Sequence, residues 1–238
     1  MVKPAALRPG DRIAVVAPAS GCTLDELERG EAELRRLGFV PVHTEAVLER
    51  GMFSAGSPET RAADFMRAWA DPSVAALVAL RGGYGSAEVL PLLHHLRPAV
   101  QPKLFIGYSD TTALLSWLTC VGHVSAIHGP MIDTRLAKGA DGYDERSFLS
   151  AVRGEANVEL VPPGLATVRS GEAMGFLFGG TLTMLAASLG TPYAFTPPGE
   201  CVLFFEDVNE RPYRLRRLLT QLRQAGVLAR ARGDERRT

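Results

Sequence analysis

Cysteine is scarce in this 238-residue chain, with only Cys22, Cys120 and Cys201. They are far apart, odd in number and never spaced C-x-x-C. Neither a zinc site nor a disulfide framework is indicated, and a reducing, cytoplasmic setting is expected. Net charge is also absent: 26 basic residues balance 26 acidic ones. The balance gives no bulk attraction to nucleic acid or to an anionic membrane. Long apolar runs are missing too, so no segment spans a bilayer. The run "IAVVAPA" after Asp11 and Arg12 has seven apolar residues closed around Pro18, which suits a buried opening strand better than a signal peptide. Histidine is limited to His43, His94, His95, His123 and His128, and none follows His128.

What is present alternates strand with helix. "RIAVVAPA" (12–19) reads as a buried strand, and Thr23 with Glu26 forms a capping box for a helix that Gly38 stops. "FVPVHT" (39–44) reads as an edge strand because it contains Pro41. Ser57-Pro58 opens a second helix, with Ala62, Phe65, Met66 and Trp69 on its apolar face. "VAALVAL" (74–80) and "KLFIG" (103–107) read as strands, the first leading into a helix that runs to about Leu96 and the second into one over 110–121. "VSAIHG" (124–129) reads as a fifth strand. Apolar strands alternating with helices imply a parallel sheet covered on both faces, with its site at the carboxyl ends of the strands.

The pattern changes over 135–170, where "KGADGYDERS" and "VPPGLATVRSGEA" supply turn formers without helical period. The expected division is a domain over 1–135, a crossing over 136–170 and a second domain over 171–238. "CVLFFED" (201–207) and the basic amphipathic helix 213–226 belong to the last part.

Three segments can carry chemistry. In "LFIGYSDTTALL" (104–115), Ser109 stands at a strand-to-helix turn. It is either a helix cap, which the local sequence favours, or a nucleophile with the Asp110 N–H as half of an oxyanion hole. "RGGYGS" (81–86) is either a tight turn or a backbone cradle for an anion. Arg81 there has the chemistry to pair with a carboxylate. It lacks G-K-[ST] and does not match G-x-G-x-x-G, so a nucleotide-phosphate loop is disfavoured. In "FFEDVNE", Glu206 either orients a histidine or accepts turn N–H groups; with Asp207 and Glu210 it lacks the spacing of an EF-hand. His128, in "AIHGP", ends a strand in the right region, although a structural role is favoured for it.

Taken in order, "VVAPAS" (15–20), "LRGGYGS" (80–86), "IGYSDTTALL" (106–115), "HGPM" (128–131), "GGTLTMLAASLGTP" (179–192) and "FFEDVNERPYRLRRLLTQLRQAGVL" (204–228) resemble the LD-carboxypeptidase family. That family includes muropeptide LD-carboxypeptidases and microcin C immunity peptidases. The resemblance implies an N-terminal α/β domain like that of class I glutamine amidotransferases and a smaller, β-rich C-terminal domain. It implies a Ser-Glu-His triad used without metal or organic cofactor. Ser109 matches the nucleophile, Glu206 the triad glutamate, and Asp110 and Gly83 (of the Gly82–Gly83 pair) the backbone oxyanion donors. Arg81 and Tyr84 are candidate substrate contacts. The substrate implied is a small peptide, a murein tetrapeptide losing D-alanine, with no nucleic-acid or membrane partner, and the protein is expected to be a homodimer.

There are two departures. Thr181 stands where the family usually has asparagine in G-G-N-L. The family's triad histidine lies in a G-H segment beyond "QAGVL", where this sequence reads "ARARGDERRT". The expectation is therefore a C-terminal domain shorter than the family's. Two other readings follow: a remnant that only binds peptide or a partner, and a microcin-type amidase of peptidyl- or aminoacyl-nucleotides. A third possibility is that His128 serves as the base.

Overall fold

The computed structural model describes residues 1–93, 95–156, 159–161 and 164–232. His94, the Pro162-Pro163 pair and the tail from Gly233 onward lie outside the described residues.

The first unit is built from β1 (Arg12–Val16), α1 (Leu24–Arg36), β2 (Val40–Val42), α2 (Pro58–Ala70), β3 (Val74–Ala79), α3 (Ser86–Val89), β4 (Leu104–Gly107), α4 (Thr112–Ser116), β5 (Ile127–His128) and α5 (Glu145–Val152). Its five strands pair in parallel in the order β2-β1-β3-β4-β5, which puts the Pro41 strand at an edge. Alternate residues serve opposite faces. Ile13, Val15, Ala76, Val78 and Ile106 pack on Leu27 and Leu34 of α1. Ala14, Val16, Leu77, Ala79 and Phe105 pack on Phe65 and Trp69 of α2. Thr23 accepts the Glu26 N–H while Glu26 returns to the Thr23 N–H, and Ser57 caps α2 from in front of Pro58.

Two expectations change. The helix expected to reach Leu96 lasts only four residues as α3 before tightening to a 3-10 turn over Leu90–Leu93. Pro91 has no N–H to continue an α-helical ladder. The crossing expected over 136–170 starts later. Leu136, Phe148 and Val152 are buried in the first core, Asp144 caps α5, and Tyr143 donates to Glu33 at 2.7 Å. The apolar positions of α5 span eight residues, too few to show through the flanking turn formers.

The second unit holds β6 (Leu177–Thr181), α6 (Leu182–Ala187), β7 (Val202–Glu206) and α7 (Pro212–Gln224). β6 and β7 are parallel, and Thr181 is in register with Glu206. Phe178, Leu182, Leu185, Phe195 and Leu222 form its core. No described helix is long and apolar enough to cross a membrane.

Candidate active site

In a parallel sheet of order 2-1-3-4-5 the chain reverses direction between β1 and β3, which opens a crevice at their carboxyl ends. The loops after β1, β3, β4 and β5 meet there. Ser20, after β1, donates its N–H to the Gly82 carbonyl at 3.1 Å. Its Oγ accepts the Tyr84 N–H at 3.1 Å and donates to the Phe53 carbonyl at 2.6 Å. Ser20 thus pins the glycine loop from two sides. Nothing in the composition of "VVAPAS" marks it for this, because a loop serine carries no periodic signal.

Ser109 follows β4 with a left-handed φ of +59°, unusual for a residue with a Cβ. Its side chain caps nothing; Tyr108 precedes the short turn of Ser109–Thr111 without a side-chain cap. The cap reading therefore gives way to a strained strand-to-helix elbow, the geometry that holds a serine hydroxyl above a sheet. A Cβ built on Gly82 would lie 3.1 Å from Ser109 Oγ, so the glycine-loop backbone runs against the hydroxyl. Asp110, next in the chain, is buried, and α3 engages it. It accepts the Ser86 N–H at 2.8 Å, and its carbonyl accepts the Ser86 Oγ–H at 2.5 Å. Burial pushes its carboxyl above the usual carboxylate range. The loop that places the Asp110 N–H is thereby tied to the loop that carries Gly83.

Glu206 arrives from the second unit. Its Oε1 accepts a short hydrogen bond from Thr181 Oγ1 and lies 3.8 Å from His128 Nε2. Thr112 Oγ1 donates to Thr181 Oγ1 and accepts the Thr181 N–H, both at 3.3 Å. A chain of hydroxyls thus runs from α4 to the carboxylate, and Thr181 supplies its middle link. His128 ends β5 opposite Gly107 of β4. Its ring packs against Tyr108 and edge-on to Phe204, at centroid separations of 5.9 and 5.3 Å. Its Nδ1 is buried without a hydrogen-bond partner among the described residues. Burial lowers the imidazole's pKa and Glu206 raises it, with burial the larger effect. The neutral ring is favoured.

The other candidates divide. Arg81 is exposed but already engaged: its Nε lies 3.4 Å from Asp133 Oδ2, and Nη1 donates to the Gly21 carbonyl at 3.3 Å. Burial still pushes the Asp133 carboxyl up to about 6. Tyr84 keeps half its surface exposed and donates its phenol to Glu88 at 3.0 Å. Asp207 accepts from the Thr183 N–H and hydroxyl, while Glu210 pairs with Arg214. These two carboxylates therefore do not converge with Glu206, and no group of three or more metal-type ligands occurs among the described residues. Cys22 lies after β1, but burial pushes its thiol up to about 12, which leaves it protonated and unreactive at neutral pH.

A strained serine elbow, a glycine loop against its hydroxyl and a glutamate–histidine pair from separate units make a constellation that can be compared with known proteins. The N-terminal domain model of the LD-carboxypeptidases matches residues 13–129 and the C-terminal domain model residues 174–233. A Streptomyces coelicolor relative is 38% identical over 237 residues, covering 96% of this chain and 74% of its own. The murein tetrapeptide carboxypeptidase of Pseudomonas aeruginosa is 36% identical over 224 residues, 89% of this chain and 71% of its own. Among solved structures, the muramoyltetrapeptide carboxypeptidase of Oxalobacter formigenes superposes with a TM-score of 0.78 at 30% identity, covering 92% of this chain and 74% of that one. The microcin C7 self-immunity protein MccF reaches a TM-score of 0.85 at 22% identity, covering 97% and 78%, a likeness of fold. With both domain models matched in order along one α/β chain, this protein belongs to the LD-carboxypeptidase family.

Proposed function

We propose that the chain is a serine-type LD-carboxypeptidase that removes a C-terminal D-alanine from murein tetrapeptides. The observation that carries this reading is the left-handed Ser109 elbow, whose hydroxyl caps nothing and faces the glycine loop. Similarity to carboxypeptidases of murein peptides supports the substrate class.

In this reading Ser109 Oγ attacks the carbonyl on the L-side of the scissile bond. The charge that develops on the carbonyl oxygen is received by the N–H groups of Asp110 and Gly83. D-alanine leaves with the proton, and water then releases the acyl group from Ser109. A hydroxyl is a weak nucleophile until a base takes its proton. In this reading that base is His128, the described histidine that lies beside Glu206, with Nε2 3.8 Å from the carboxylate. The reaction requires no metal or organic cofactor. The compartment proposed is the cytoplasm, and the protein's partner is a second copy of itself.

The test is a substrate panel. A tetrapeptide ending in D-alanine is expected to release that residue. The same peptide ending in L-alanine, and an aminoacyl sulfamoyl nucleotide, are expected to remain intact. Preferential cleavage of the nucleotide would replace this reading with the amidase one. His128→Gln is expected to lower serine-dependent turnover by about 10²-fold or more. In the parent protein the acid limb of kcat/KM should lie below pH 6.5, the ordinary histidine value, because burial holds the ring neutral to lower pH. Unchanged turnover in His128→Gln would reduce the ring to packing between Tyr108 and Phe204.

A further inference from the structure

Arg61 is charged and buried, with only 2% of its surface exposed, yet it belongs to no part of the site described above. It sits on the inner face of α2, four residues before Phe65 and seven before Ala68, where an apolar side chain is expected. Its Nη1 donates to the Pro18 carbonyl at 2.6 Å and to the Gly85 carbonyl at 2.7 Å. Its Nη2 pairs with Glu88 Oε2 at 2.5 Å, and the other oxygen of Glu88 accepts the Tyr84 phenol. Nε is buried without a partner among the described residues. Burying a guanidinium with one nitrogen unsatisfied is costly, and an apolar side chain would fill the same space at lower cost. Stability alone does not account for it.

Its contacts give another account. Pro18 belongs to the loop that carries Ser20, Gly85 to the glycine loop, and Glu88 to α3. One planar group therefore fixes the spacing of the three segments that frame Gly83. The three-donor fork suits this task, since a lysine ammonium cannot span two carbonyls and a carboxylate in one plane. The positive charge also lies behind the donors. Burial raises the Asp110 carboxyl and the Glu88 hydrogen bond raises the Tyr84 phenol; against these larger effects the Arg61 charge favours the ionised form of each. A developing oxyanion would be favoured in the same way.

We infer that Arg61 is a positioning residue for the oxyanion hole, holding the Gly83 N–H at the distance the transition state requires. This rests on the serine-peptidase reading above. Loss of Arg61 should then weaken transition-state binding and leave ground-state binding alone.

The experiment compares the parent chain with Arg61→Met, Arg61→Lys and Glu88→Gln. The readouts are tetrapeptide turnover, affinity for the tripeptide product, and affinity for a peptide boronic acid that forms a tetrahedral adduct on serine. Arg61→Met is expected to lose about 10²-fold in kcat and a similar factor in boronate affinity, with KM and product affinity within about threefold. Arg61→Lys should recover only a minor part of the loss. Glu88→Gln, at a half-exposed position that tolerates the change, keeps the fold and should lose about fivefold in kcat. It decides the matter if Arg61→Met does not fold. Unchanged kcat in a folded Arg61→Met, or in Glu88→Gln if only that variant folds, overturns the proposal, as does a loss confined to KM. A parent chain with neither turnover nor a boronate adduct overturns the serine-peptidase reading and this role with it.

Discussion

Gly82→Ala is expected to cut turnover by about 10²-fold while the protein stays folded. The added Cβ would stand 3.0 Å from Ser109 Cβ, 3.1 Å from its Oγ and 3.4 Å from Met131 Cε. These contacts require a shift of a few tenths of an ångström. The methionine can yield, being flexible. Ser109 Cβ moves only with its backbone, which the elbow holds at φ +59°, so relieving both contacts displaces the hydroxyl from its place. The loop cannot retreat either, because Ser20 grips it at Gly82 and Tyr84. Circular dichroism should show a native fold, and steady-state kinetics should place the loss in kcat. Full activity would mean that the hydroxyl does not work against this loop.

Gly179→Ala is expected to act on stability, with a cost of roughly 4 kcal/mol or more. The backbone at Gly179 has φ +153°, and a Cβ there would sit 1.8 Å from the Phe204 carbonyl oxygen on the neighbouring strand. Backbone must move, because neither side chain can absorb such an overlap. Separating β6 from β7 also parts Thr181 from Glu206, which are in register. Protease sensitivity should therefore rise within 177–206, and activity should fall with it. Gly190→Ala is the control: nothing lies within 4 Å of its added Cβ, leaving only the strain of φ +83°. It should cost about 1 kcal/mol. Equal stability losses in the two variants would mean that the β6–β7 pairing contributes little.

Much of the first unit was legible because its signals are local. Thr23, Ser57-Pro58 and Pro41 each act on their own few residues, and the structure places them as a cap, a cap with its first turn, and an edge. The strand ends at "RGGYGS" and "GYSD" followed from alternation alone. The elbow was not legible locally. A serine before a helix caps more often than it attacks, and only the backbone angle separates the two. Contacts between distant segments were silent: Asp133 claims Arg81 from far along the chain, and Thr112 reaches Thr181 across the two units. For Arg61 a signal did exist. It shares the buried face of α2 with Phe65 and Ala68, and a charge there asks for partners.

The central claim is that Ser109 forms a covalent acyl-enzyme. Intact-mass spectrometry of the chain mixed with a D-alanine-terminated murein tetrapeptide and quenched early tests it most directly, with Ser109→Ala in parallel. The account predicts a transient mass increase equal to the tripeptide acyl group, mapped to the peptide containing Ser109 and absent in the variant, together with release of D-alanine. D-alanine release at equal rates from both proteins, or an adduct on any other residue, would contradict it.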